Sequence, residues 1–108
     1  MANSFSRKLA RSVGTTANQV GSFSATTSTV VIGLSVCNTT GGAITANVYL
    51  NASAANTYLV ANAPISSGAS LAVVGGDQKV VLQSGDSIYV QSSAASSVDC
   101  IMSIMEIT

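Results

Sequence analysis

The sequence has 108 residues, of which 47% are apolar and only 7% charged, and its mean hydropathy is +0.49. This is about one domain's worth of chain with enough apolar material for a core, which excludes general disorder. There is no histidine, so Ser-His-Asp and Cys-His catalytic arrangements and His-ligated zinc are excluded. Four acidic residues leave little for general acid–base catalysis, so we expect a non-enzymatic protein without a cofactor.

The charges are unevenly distributed along the chain. Three of the four basic residues, Arg7, Lys8 and Arg11, lie near the N-terminus, whereas residues 12–76 contain no Asp, Glu, Lys or Arg. Residues 77–108 hold one lysine against four acids, so the body is neutral to acidic. We therefore define residues 1–16 as a basic arm and predict that its three charges dock on an acidic partner while contributing little to folding.

The conformation of this arm has two candidate forms. It is either extended or a short amphipathic helix, because Phe5, Leu9 and Val13 recur at i, i+4 and i+8. Three charges without interleaved aromatic residues are a small electrostatic footprint, so nucleic acid is not expected as a partner. A membrane is not expected either, because no apolar run reaches the roughly 18–20 residues that span a bilayer.

From residue 17 onward the apolar residues alternate with polar ones, and turn signals recur about every ten residues. This pattern predicts an all-β domain over residues 17–108, an antiparallel β-sandwich resembling a jelly roll. Seven or eight strands are predicted, and they cover residues 30–37, 44–50, 57–61, 71–74, 80–82, 88–91 and 98–107. Asn38-Thr39-Thr40-Gly41-Gly42 is predicted to be a hairpin connection; its first three residues also match the N-glycosylation pattern, a match we attribute to composition.

The alternation also assigns side chains to faces. In the first predicted strand it directs four residues to the core: Val30, Ile32, Leu34 and Val36. In the next strand it directs Asn47 and Tyr49 outward, and in residues 88–91 it separates Ile88 and Val90 from Tyr89 and Gln91. The two cysteines, Cys37 and Cys100, are expected to be free thiols.

The last strand, residues 98–107, is apolar on both faces. Val98, Cys100, Met102 and Ile104 alternate with a second apolar set: Ile101, Met105 and Ile107. Strands that are apolar on both faces are buried on both sides. We therefore predict that the first set faces the core and that the second forms an interface in a homo-oligomer, for which a trimer is plausible.

The order of strand and turn motifs resembles that of small virion proteins of tailed bacteriophages. The stretches that carry this resemblance are residues 33–40 (GLSVCNTT), 44–50 (ITANVYL), 63–71 (APISSGASL) and 80–90 (VVLQSGDSIYV). Together they place most of residues 30–107 within the pattern. The resemblance implies a structural protein located in the virion, where it binds copies of itself and other virion proteins such as the major capsid or neck and tail proteins.

Three functional hypotheses follow from these observations. The leading one is a phage virion structural protein in a capsid decoration (cement) or connector role. The first alternative is a subunit that attaches a tail or neck appendage. The second is a small carbohydrate-binding or adhesin module, which would be supported by exposed Tyr49, Tyr58 and Tyr89 together on one concave face.

Overall fold

The computed structural model describes residues 3–22, 24–52, 55–75 and 79–107. Nine strands and one short 3-10 turn lie within these ranges. The strands are β1 Asn3–Val13, β2 Asn18–Gln19, β3 Thr29–Asn38, β4 Ile44–Ala52, β5 Ala55–Ile65, β6 Ser70–Val74, β7 Val80–Leu82, β8 Ser87–Ser92 and β9 Val98–Ile107. The 3-10 turn covers Val20–Ser22. No helix in these ranges is long and apolar enough to cross a bilayer.

The strands form two antiparallel sheets. Sheet A has the order β1-β9-β3-β6, with β7 also paired to β3, and sheet B has the order β2-β8-β4-β5. Most consecutive strands lie in different sheets, and the first strand, β1, lies beside the last strand, β9. This is the eight-strand order of a jelly roll, with β7 as a short addition. The predicted all-β, antiparallel, jelly-roll-like sandwich is confirmed.

The core lies between the inner faces of the two sheets. In β9 the inward residues are the predicted ones, Val98, Cys100, Met102 and Ile104, and all four are buried. They face a layer from sheet B that includes Val48, Ile88 and Val90, each fully buried. Such burial contributes about 1.5–3 kcal/mol per large aliphatic side chain, so these two layers supply most of the driving force for folding.

The predicted core set of β3 is only half correct. Leu34 and Val36 are buried, but Val30 and Ile32 are half-buried and Val31 takes the inward position instead. The cause is a β-bulge opposite β9, where Val31 pairs with Ile104 and Gly33 pairs with Ser103, leaving Ile32 as an extra residue. One extra residue reverses the alternation on either side of it.

The N-terminal segment is part of sheet A. Strand β1 pairs with β9 from Asn3↔Ile107 to Val13↔Val98, so the extended form of the arm is confirmed and the short helix is wrong. Ala10 and Val13 are buried in the core. The spacing of Phe5 and Leu9 fits a strand as well as a helix, because positions four apart share one face of a strand too.

A bulge near the end of β1 turns Val13 inward. The pairing with β9 shifts between Ala10 and Val13, and Ser12 there has a left-handed φ of 51°. This conformation is uncommon for a residue with a Cβ. It is held by the Ser12 backbone N–H, which donates to the Asp99 carboxylate at 2.9 Å.

The predicted hairpin after Asn38 is wrong, because β3 and β4 belong to different sheets. Residues 39–43 cross between the sheets, anchored by the fully buried Asn38. Its amide nitrogen donates to the carbonyls of Gly42 at 2.8 Å and Ile65 at 3.0 Å, and its amide oxygen accepts from the Thr40 N–H at 2.9 Å. A buried, bonded amide is not accessible to glycosylation.

Candidate functional site

The outer face of sheet A carries an exposed apolar surface. Four cross-strand partners form one line across the sheet, since Phe5 pairs with Met105, Met105 with Val30, and Val30 with Val81. Phe5 is 73% exposed and Val81 58% exposed. Two further residues of β9 share this face, Ile101 at 52% and Ile107 at 40% exposure, and Leu9 pairs with Ile101. We call these seven residues the sheet A patch.

The structure thus brings the predicted interface residues Ile101, Met105 and Ile107 together on one face. They lie on a wider surface than the sequence predicted, because β1 and β7 contribute Phe5 and Val81. Contiguous exposed apolar patches on a folded protein commonly mark interaction sites. The role of these residues in an interface stays a prediction.

The three basic residues of the arm are not brought into one cluster. Arg7 is exposed and pairs with Ser103, which places it on the outer face within the sheet A patch. Lys8 pairs with the inward Met102 and is half-buried against the 3-10 turn. The approach there is close: a Cβ added at Gly21, which has a φ of 64°, would lie 2.5 Å from the Lys8 Cβ.

Arg11 lies apart from both, at the bulge of β1. It is exposed and lines the same shallow groove as Asp99, Leu9 and Ile101. A carboxylate beside it offsets part of its charge toward any acidic partner. Docking through Arg7, Lys8 and Arg11 stays a prediction, with Arg7 and Arg11 as its exposed members.

The outer face of sheet B is different in chemistry. Tyr49 on β4 pairs with Tyr58 on β5 and with Tyr89 on β8, so the chain's three tyrosines form one row. The Tyr49 and Tyr58 ring centroids are 5.1 Å apart with planes tilted by 47°, and those of Tyr49 and Tyr89 are 5.5 Å apart and nearly parallel at 4°. We call this the tyrosine row.

The members of the tyrosine row differ in exposure. Tyr58 lies on the edge strand β5 and is 51% exposed, whereas Tyr49, between its two partners, is 9% exposed, so the three tyrosines lie together but are not all exposed. Burial raises the pKa of Tyr49, and charge repulsion from Tyr58 and Tyr89 raises it further. The central hydroxyl therefore stays protonated, as a hydrogen-bond donor and acceptor, over the whole neutral range.

Side-chain amides flank the tyrosine row on both sides. On one side, Asn47 and Gln91 are cross-strand partners, and on the other, Asn51 pairs with Asn56. The Asn51 amide nitrogen donates to the Asn56 amide oxygen at 2.7 Å. The Asn47 amide oxygen accepts from the Asn62 backbone N–H at 2.6 Å, and the Gln91 amide nitrogen donates to the Thr15 carbonyl at 2.7 Å. These bonds fix the amide orientations.

Possible metal ligands and nucleophiles among the described residues are few and lie apart from one another. Within them, no group of three His, Cys, Asp or Glu side chains is arranged to hold a metal ion. Cys37 and Cys100 are free thiols on opposite faces of adjacent strands, since Cys37 pairs with the exposed Asp99 and Cys100 with the buried Val36. Burial raises the pKa of the Cys100 thiol to about 12, which keeps it protonated and unreactive.

Sequence reasoning named many of the residues on these two faces but could not establish which of them are neighbours. The alternation placed Asn47 and Tyr49 outward, but Tyr58 and Tyr89 lie on strands that are adjacent to β4 only in space. No local signal identifies them as its partners. The same holds for Phe5, which reaches the sheet A patch through pairing with a strand about a hundred residues further along the chain.

Comparison with solved structures finds other chains with a similar overall fold. No family model and no curated protein matches the chain. One similar solved structure is that of Bacillus endospore appendages, a family of disulfide-linked pili, with a TM-score of 0.56, 14% identity, and coverage of 97% of this chain and 86% of that one. Another is from the Gx strain of infectious bursal disease virus, with a TM-score of 0.50, 11% identity, and coverage of 95% and 33%. At these identities the likeness shows the fold alone.

Proposed function

We propose that this protein is a non-enzymatic structural subunit of a virion and that it assembles through the sheet A patch. The observation that carries the proposal is the register of Phe5, Met105, Val30 and Val81, which lines up apolar side chains across four strands. Exposure of these apolar side chains to water is unfavourable. Burying them against a neighbouring subunit is therefore a favourable contribution to association.

The size of the patch suits a contact between copies. Burying one large apolar side chain contributes about 1.5–3 kcal/mol when it starts fully exposed. In a contact between two identical faces, each residue of the patch is buried once on each copy. The summed contribution can therefore offset the loss of translational and rotational freedom on association, which costs about 4–15 kcal/mol. Arg7 lies within the patch, and arginine is one of the residue types enriched at protein interfaces.

The composition and the similar folds support an assembled particle. Only 7% of the residues are charged and the formal net charge is zero, so little repulsion keeps copies apart. One of the two similar structures is of pili and the other is of a virus, and this supports a place for the chain in a larger assembly.

The specific role that we propose is capsid decoration or connection in a tailed bacteriophage, with the chain located in the virion. A small, weakly charged, rigid sandwich is suited to repeated docking, with Arg7 and Arg11 exposed toward a major capsid, neck or tail protein. Attachment of a tail or neck appendage is the second location that this surface would serve.

The test is incorporation into particles. Gradient-purified virions made with the wild-type gene should contain the chain at a fixed, repeated copy number by quantitative mass spectrometry. Ile101→Asp places a charge in the sheet A patch and should reduce the copy number at least about tenfold. Thr57→Asp is the matched control, because it introduces the same negative charge at an exposed position of β5 in sheet B, and it should leave incorporation unchanged.

Two results would contradict the proposal. The chain could be absent from purified virions, or Ile101→Asp could be incorporated as well as wild type. Circular dichroism of each purified variant separates lost docking from lost folding, because Ile101 is exposed and its replacement should leave the sandwich intact.

A further inference from the structure

We propose that the outer face of sheet B binds a neutral glycan chain, with Tyr58 as the stacking residue and the flanking amides as hydrogen-bonding partners of sugar hydroxyls. This inference does not rest on the proposed virion role, because the tyrosine row and the sheet A patch lie on opposite outer faces of the sandwich.

The rings supply the apolar part of such a site. Tyr49 and Tyr89 have nearly parallel rings with centroids 5.5 Å apart, and Tyr49 is almost wholly buried, so Tyr58 is the most exposed ring of the row. Tyr58 terminates the row on the edge strand, where one ring face contacts Tyr49 and half of its surface remains exposed. A sugar ring presents apolar C–H groups on its faces, and these pack against an aromatic ring of this kind.

The amides supply the polar part. The bond between Asn51 and Asn56 uses the nitrogen of Asn51 and the oxygen of Asn56, so the Asn51 oxygen can accept and the Asn56 nitrogen can donate to a ligand. A pair of neighbouring sugar hydroxyls presents the complementary donor and acceptor. On the other side of the row, the Asn47 nitrogen and the Gln91 oxygen add one donor and one acceptor, because the bonds to the Asn62 and Thr15 backbone use the other amide atom of each.

The absence of charge selects the ligand class. None of the four strands of sheet B contains Asp, Glu, Lys or Arg. Phosphates and carboxylates are bound by cationic side chains, so nucleic acids and acidic polysaccharides lack a partner on this face. The outward positions of β4 and β8 hold only tyrosine, amides and hydroxyl residues: Thr45, Asn47, Tyr49, Asn51, Ser87, Tyr89 and Gln91.

The site is also prearranged. The amides of Asn47, Asn51, Asn56 and Gln91 are held by hydrogen bonds, and the rings are held by stacking on three adjacent strands. Binding therefore orders few side chains, and this reduces the entropic cost that limits affinity for small polar ligands.

Tyrosine emission provides a direct test. The chain has no tryptophan, and its three tyrosines are the tyrosine row, so all near-ultraviolet emission reports on this face. The full chain is titrated with cellohexaose, mannohexaose, maltohexaose and chitohexaose as neutral probes, and with hexagalacturonate as the acidic one. We expect a saturable emission change with at least one neutral probe, unchanged by salt, and none with hexagalacturonate.

Variants measured by calorimetry assign the binding to Tyr58. Tyr58→Ala should weaken the active probe at least about tenfold, while Tyr58→Phe, which keeps the ring, should retain most of the affinity. Ser70→Ala changes an exposed side chain of β6 in sheet A, outside the sheet A patch, and should bind as wild type.

Three results would overturn the inference. No neutral probe produces a saturable change; hexagalacturonate binds more tightly than the neutral probes; or Tyr58→Ala binds like wild type. If Tyr58→Asp dissociates an oligomer that Ile101→Asp leaves intact, the face is a contact between protein subunits and the glycan site is wrong.

Discussion

The buried thiol of Cys100 shows how one side chain's surroundings affect the whole fold. Its pKa rises from 9.0 to about 12 because burial disfavours the thiolate. The folded state therefore holds this proton at pH values where the unfolded chain has released it. Tyr49, whose pKa is raised by burial and by its two tyrosine neighbours, acts in the same direction.

The consequence is a loss of stability in alkali. Because the folded pKa of Cys100 lies above the unfolded one, its contribution is complete below about pH 9 and is lost as the pH rises toward about 12. We expect the urea midpoint to fall steadily between about pH 9 and about pH 12, as followed by circular dichroism. Cys100→Ala should flatten this dependence, and an unchanged midpoint in the wild type over that range would contradict it.

Single residues also show where local pattern fails. The alternation gives the correct inward set in β9. In β3 it misplaces Val30 and Ile32, because Ile32 is an extra residue between the pairs Val31–Ile104 and Gly33–Ser103. A bulge belongs to a pair of strands, and neither strand alone contains the information. Asn38 is similar, because its buried bonds to Ile65 and Gly42 arise from the sheet crossing.

At the scale of elements, β1 differs most from its sequence-based description. Three basic residues in a short stretch favoured an arm separate from the sandwich. In the structure, β1 pairs with β9 along its length, and its Ala10 and Val13 side chains lie in the core. The pairing joins opposite ends of the sequence, so only the tertiary fold specifies it. The earlier expectation that this segment contributes little to folding is therefore replaced by the opposite one.

Two substitutions in this strand test that conclusion. Val13→Ser buries a hydroxyl in the core and removes apolar volume, so the free energy of unfolding should fall by about 3 kcal/mol. Phe5→Ser, the same replacement on the exposed face, should change the free energy of unfolding of the monomer by no more than about 0.5 kcal/mol, measured at a protein concentration too low for association. Urea denaturation measures both, and equal effects of the two changes would show that β1 is not packed in the sandwich.

At the scale of the molecule, the fold class could be predicted from the sequence and the two outer faces could not. Period-two alternation and regular turns are local signals, and they are sufficient for an antiparallel sandwich. The strand order β2-β8-β4-β5 arises from the tertiary fold, so the sequence alone does not show that Tyr49 lies beside Tyr58 and Tyr89. The sequence predicts which side chains of a strand face outward, but it does not predict which residues of other strands lie next to them.

The two faces give the molecule a division of roles. Sheet A presents aliphatic and phenylalanine side chains around Arg7, which suits contact with another protein surface. Sheet B presents phenols and amides without charge, which suits a hydrated neutral ligand. A particle subunit with one face toward its neighbours and the other toward solvent is consistent with both proposals.

The most direct test of the central claim is sedimentation velocity of the purified wild-type chain. At about 50 μM, well above a micromolar dissociation constant, it should sediment as a species larger than the 10.8 kDa monomer. Ile101→Asp should sediment as a folded monomer, and Thr57→Asp should behave as wild type. A wild-type protein that remains monomeric at this concentration, or an Ile101→Asp variant that associates as strongly, would contradict assembly through the sheet A patch.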